Sequence, residues 1–116
     1  MLVGAAWAVW HIPVLFVVDS PPAQAPVLFL LQLPVVSVIY GWLYNRTAGS
    51  VLFVSVFHAT GNAVGVLALE GGLDVAAYIR LEFAVVVVAA TALVLVTGMD
   101  LGAPSTARVD TPSTRE

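Results

Sequence analysis

The chain contains no cysteine and no lysine. Without thiols it has neither a disulfide framework nor a thiolate nucleophile, so any metal ion must be held by histidine, asparagine or carboxylate. Charge is scarce as well, at 9% of residues, and the four basic residues (Arg46, Arg80, Arg108 and Arg115) stand far apart. They form no basic patch, which excludes nucleic-acid binding. The net charge of -3 comes from the connecting segments and the C-terminal stretch and says little about partners. No internal repeat is visible, and 116 residues suffice for one helical bundle but hardly for two domains.

What the chain has in excess is apolar surface. Sixty per cent of its residues are hydrophobic and its mean hydropathy is +1.01, a composition that belongs in a bilayer rather than in water. Four apolar segments, about Leu2 to Val18, Pro26 to Tyr44, Ser50 to Leu69 and Ala76 to Val96, each approach the ~20 residues that span a membrane core as helix. Short polar, turn-rich connections separate them, so successive helices are expected to be antiparallel neighbours. The expectation is an all-α, polytopic transmembrane bundle over residues 1–98. From Met99 the composition shifts to Gly, Pro, Ser, Thr and scattered charge, which predicts a disordered tail over 99–116. Four spans place Arg46, Arg108 and Arg115 on one side and only Arg80 on the other, so the N-terminus, the Arg46 loop and the tail are expected in the cytoplasm.

Against this background two histidines and one amide stand out. His58 and Asn62 are four residues apart, hence stacked on one helix face, and neither belongs in hydrocarbon without an internal role. His11 lies in Trp7-Ala8-Val9-Trp10-His11-Ile12-Pro13. At ~1.5 Å rise per residue, His11 and His58 lie roughly 15 Å and 12 Å into their spans. They are level, on helices running the same way, so both imidazoles are expected to face one cavity. Pro13 frees the carbonyl of Val9, which is tolerated at depth where protein or water satisfies it. Gly61 and Gly65 form a small-xxx-small pair that lets another helix approach closely. A lone membrane histidine is often only a packed residue bonded to a carbonyl, a reading about as good as a functional one for His11 by itself. The stacked asparagine and the second histidine at matching depth favour a shared site. Trp7, Trp10, Tyr40, Trp42 and Tyr44 read as packing or interfacial anchors. Glu70, Asp74, Arg80 and Glu82 read as a solvated cluster, with Arg80 and Glu82 too near the outer boundary to reach the histidines. Ala23-Gln24-Ala25 looks like a signal-peptidase site, but the first segment lacks a basic flank and is interrupted by His and Pro.

These residues resemble a known family. Trp7-x-x-x-His11 followed by Pro13 is similar to the Phe-x-x-x-His motif of the CPBP family, the CAAX-protease and bacteriocin-processing intramembrane proteases, also called ABI. His58-x-x-x-Asn62 is similar to its His-x-x-x-Asn motif, and Gly41-Trp42-Leu43-Tyr44-Asn45-Arg46-Thr47-Ala48-Gly49-Ser50 to the stretch that often precedes it, here with an extra Ala. The resemblance covers about Gly4 to Gly65. The family's Glu-Glu-x-x-x-Arg motif lies on a helix upstream of the Trp-His motif, and Met1 stands six residues before Trp7. The expectation is therefore a C-terminal part of a member, or else a degenerate paralogue, inactive alone because a glutamate general base is missing.

The resemblance implies an intramembrane metalloprotease, a hydrolase of peptide bonds in or beside the bilayer, with His11, His58 and Asn62 as catalytic residues and a peptide or protein as substrate. In one version His11, His58 and Asn62 hold a divalent metal such as zinc, which activates water. In the other, an upstream Glu with His11 activates water while His58 and Asn62 donate to the oxyanion. Eukaryotic relatives act on prenylated CAAX proteins and bacterial ones are linked to bacteriocin maturation. The Val- and Ala-rich, lysine-free composition suits a bacterial plasma membrane. The rival reading is a non-catalytic membrane subunit or small transporter in which the same three side chains bind an ion or relay protons.

Overall fold

The computed structural model describes residues 2–17 and 20–103 and is all helical over them. Helix α1 (Leu2–His11) continues as a 3-10 segment, Ile12–Phe16; α2 is the single turn Pro21–Gln24; α3 spans Pro26–Arg46, α4 Val51–Glu70 and α5 Val75–Thr97. Three of these, α3, α4 and α5, are long and apolar enough to cross a membrane, and the apolar stretch Leu2–Phe16 is shorter.

Local chemistry accounts for the boundaries. Pro13 has no backbone N–H to continue an α-helix, and the chain tightens to 3-10 geometry just after His11. Ser20 caps α2, its hydroxyl accepting from the Ala23 N–H at 3.4 Å and donating to the Val14 carbonyl at 3.0 Å. Asp74 caps α5 by accepting from the Ala77 N–H at 2.8 Å, satisfying one of the first-turn donors that no helix pairs internally. Between α3 and α4 the chain reverses in a tight turn. Ala48 takes a φ of 53° and Gly49 one of 80°, with the Gly49 N–H donating to the Tyr44 carbonyl at 2.9 Å. The extra alanine thus occupies a left-handed position that an L side chain enters only at a cost.

The packing centre is α3. It buries Gln32 and Leu33 and packs against α5, which buries Ile79, Val86 and Ala90. On its other side α1 crosses α3 at Gly4, where a methyl group would meet the Pro34 Cα at 2.7 Å and the Ser37 side chain. Pro34 lies inside α3, and the Ser37 hydroxyl turns back to donate to the Pro34 carbonyl at 2.7 Å. By contrast, α4 buries only Gly65.

The ends sort as an antiparallel bundle requires. Val3, Tyr44, Asn45, Val51, Met99 and Leu101 gather at one end, around an apolar cavity of about 870 Å³. Residues 98–102 form turns there, and the Asn45 amide donates to the carbonyls of Asp100 and Leu101 at 3.2 Å each. The tail predicted from Met99 is thus tied to the end of α3 at its start, and residues 104–116 lie outside the described ones.

Candidate functional site

A second cavity, of about 360 Å³, opens between α1, α3, α4 and α5, and His11, His58 and Asn62 all line it. The expectation that both histidines face one cavity therefore agrees with the structure. They do so through a shared neighbour. The Trp7 indole meets the His11 ring at 5.3 Å and the His58 ring at 5.5 Å between centroids, both edge-on. His11 is fixed from below: its Nδ1–H donates to the Trp7 carbonyl at 2.8 Å, and its ring stands edge-on to Phe29 at 5.8 Å. In the neutral ring this leaves Nε2 as the acceptor.

His58 is held on both nitrogens. Its Nδ1 lies 3.0 Å from the Tyr40 hydroxyl and its Nε2 3.2 Å from the Asn62 Nδ2. With the Asn62 amide donating to Nε2, Nδ1 carries the proton and donates to the Tyr40 oxygen. Tyr40 also tilts against Trp7 at 5.6 Å and stands edge-on to Phe57 at 6.0 Å. The imidazole is thus oriented by side chains from two other helices, while Asn62, exposed, remains open to the cavity.

Sequence reasoning missed three of the residues here. Tyr40, read as an interfacial anchor, is a direct partner of His58. The signal was present, since Tyr40 precedes the Thr47–Gly49 turn by seven residues and His58 follows it by nine, which places them at similar depth in an antiparallel hairpin. Gln32, on the same face of α3 as Val36 and Tyr40, also lines the cavity. The reading of Glu82 is corrected: placed too near the boundary to reach the histidine site, it lines the same cavity. The cavity runs along α4 from His58 to Leu69, so a residue can open onto it without lying at histidine depth. Arg80, two residues earlier, is exposed and takes no part.

The small-residue pair behaves unequally. A methyl at Gly65 would lie 2.8 Å from the Tyr78 hydroxyl, so α5 does approach closely there, whereas Gly61 has nothing within 4 Å. Gly61 lines the cavity and supplies space rather than a seam.

The residues present do not fit a metal ion on their own. Among the described residues no three of His, Cys, Asp and Glu are grouped closely enough to hold one, and beside two imidazoles a neutral amide is a poor substitute for the third histidine, cysteine or carboxylate ligand. Both ring nitrogens of His58 are engaged with other side chains.

Comparison with known proteins gives one match. The family model described as "Rce1-like: Type II CAAX prenyl endopeptidase Rce1-like" matches residues 1–64, just over half of the chain and the part that carries Trp7, His11, Tyr40, His58 and Asn62. No curated protein and no solved structure matches.

Proposed function

The chain belongs to the Rce1-like family of type II CAAX prenyl endopeptidases, and on that premise we propose that it carries the histidine half of an intramembrane peptidase site. The observation that supports this most is the Tyr40–His58–Asn62 arrangement opening onto the cavity shared with His11. The reaction is hydrolysis of a peptide bond in or beside the bilayer. In the resting arrangement Asn62 donates to His58 Nε2. When the Tyr40 hydroxyl instead donates to Nδ1, the ring proton moves to Nε2, and Nε2–H and the Asn62 amide both become donors toward the cavity. Two donors converging where a scissile carbonyl gains negative charge stabilise the tetrahedral oxyanion. His11, with Nδ1 committed to the Trp7 carbonyl, presents Nε2 as an acceptor that helps to orient and deprotonate water. The carboxylate that takes the proton is the part that the family motif Glu-Glu-x-x-x-Arg would supply.

Cleavage tests this reading. Membranes containing the 116-residue chain alone should not cleave a fluorogenic CAAX-type peptide, prenylated or not. Co-expression with a helix bearing Glu-Glu-x-x-x-Arg should restore cleavage, and His11→Ala or His58→Ala should each remove it, by about a thousandfold or more. Histidine-independent cleavage would overturn the assignment. We further propose that the Arg46 end faces the cytoplasm. With single cysteines introduced into this cysteine-free chain, Ser20→Cys should react with an impermeant thiol reagent in intact cells and Ser105→Cys should not.

A further inference from the structure

The apolar cavity at the Arg46 end is larger than the histidine cavity and has no part in the hydrolysis described above. Its walls give water little to hold. The Ser37 hydroxyl donates to the Pro34 carbonyl, the Tyr40 hydroxyl is bonded to His58, and the Asn45 amide donates to the carbonyls of Asp100 and Leu101. Apart from Gly41, the remaining lining is apolar or aromatic. At about 870 Å³ the cavity falls within the ~300–1,000 Å³ of ligand pockets, and left empty it would forfeit dispersion contacts along its whole wall. An alkyl chain suits it and a polar molecule does not.

Shape and charge narrow the occupant further. On α3 the lining runs from Ser37 to Asn45, eight residues or about 12 Å along the helix, so the space is elongated along the bundle as an acyl chain is in a leaflet. Val51 and Met99 border it and are more than half exposed, which leaves it open to surrounding lipid. At its mouth α3 ends in the exposed Arg46, whose Cδ lies 3.7 Å from where a methyl on Gly102 would stand. The acidic residue of that turn, Asp100, accepts from the Gly102 N–H at 3.4 Å. A guanidinium at the interfacial end of an apolar slot complements a phosphate that carries an alkyl chain.

We propose that this cavity holds one acyl chain of an anionic phospholipid, with the phosphate at Arg46. Trp7 and Tyr40 line this cavity and the histidine cavity alike, so the acyl chain packs against the two side chains that touch His58. A bound lipid thereby backs the wall that holds the imidazole. Its binding does not depend on the chain being a peptidase.

Contact quenching of Trp7 tests this. Trp10→Phe and Trp42→Phe leave Trp7 as the sole tryptophan. The 116-residue chain is reconstituted in phosphatidylcholine vesicles with increasing amounts of phosphatidylglycerol brominated on its acyl chains, or of phosphatidylcholine brominated in the same way. Quenching should saturate at about fivefold lower mole fraction of the brominated phosphatidylglycerol, the worth of one arginine toward an anionic lipid. Arg46→Gln should remove that difference. Val54→Phe fills the cavity and should abolish the saturable component, and Val38→Phe does the same from α3 should Val54→Phe fail to fold. Quenching that never saturates, or that both filling variants leave unchanged, would be ordinary contact with surrounding lipid and would sink the proposal. Equal responses to the two brominated lipids would overturn the anionic headgroup. Displacement of the brominated chain by a farnesylated peptide, and not by its unprenylated twin, would overturn the phospholipid and reassign the cavity to a lipidated substrate.

Discussion

Helices α4 and α5 are nearly equal in length and similarly apolar, yet the molecule uses them in opposite ways. In α5, Ile79, Val86 and Ala90 are buried against the rest of the bundle, whereas α4 buries only Gly65 and leaves Leu52, Val56, Val64 and Leu67 more than half exposed. Exposure of leucine and valine costs nothing in hydrocarbon, so a transmembrane helix need not be packed on all sides to stay in place. The helix that carries His58 and Asn62 is therefore the one with the fewest packing obligations, while α1, α3 and α5 provide the frame. Stability and chemistry are divided between neighbouring helices, and Tyr40 and Trp7 join the two through their contacts with His58.

The largest effect should come from overfilling the frame. Gly4→Val forces a branched side chain against the Pro34 backbone, which has no flexible end to move aside, and should cost about 1–3 kcal/mol with α1 displaced from α3. Thermal unfolding in detergent would show a lowered midpoint, and cleavage in the co-expression assay should fall with it because Trp7 and His11 ride on α1. An unchanged midpoint would mean that the frame is not where the structure puts it.

A smaller and more selective effect is expected at the residue that joins frame and site. Tyr40→Phe keeps the ring and its contacts with Trp7 and Phe57 but removes the hydroxyl at His58 Nδ1. Cleavage should slow about tenfold, the worth of one such hydrogen bond, while the unfolding midpoint stays within what about 1 kcal/mol would shift. Equal losses in both measurements would break the division between the two regions.

The smallest effect should be at Gly61, which has open space where a side chain would go. Gly61→Ala is expected to stabilise α4 by about 0.5–1 kcal/mol through its lower backbone entropy. The sign is opposite to that at Gly4. A destabilised Gly61→Ala would show that α4 packs more closely than its exposure indicates.

Much of this was legible in the sequence, for identifiable reasons. Long apolar runs ended by Asn45-Arg46, Glu70 and Asp74 can only be helices in a bilayer, and the bounds of α3, α4 and α5 fall within a few residues of those predicted. His58 and Asn62 were visible because polar residues at helical spacing are conspicuous among valines. Tyr40 was hidden for the converse reason: beside Trp42 and Tyr44 it is one aromatic among several, and an interfacial girdle explains all of them equally well. Glu82 was misplaced because depth was judged against the histidines alone, whereas the cavity extends well past them along α4. Gln32 carries no sequence signal at all, since its burial depends on how α3 packs within the bundle.

After His11 the chain advances faster. Five residues in 3-10 geometry rise about 10 Å where five α-helical ones would rise about 7.5 Å, so Ile12–Phe16 carries the chain further from His11 per residue than α1 does. The distance from His11 to the Ser20 turn is thus covered with fewer side chains, and fewer of them stand between the imidazole and that end of the bundle.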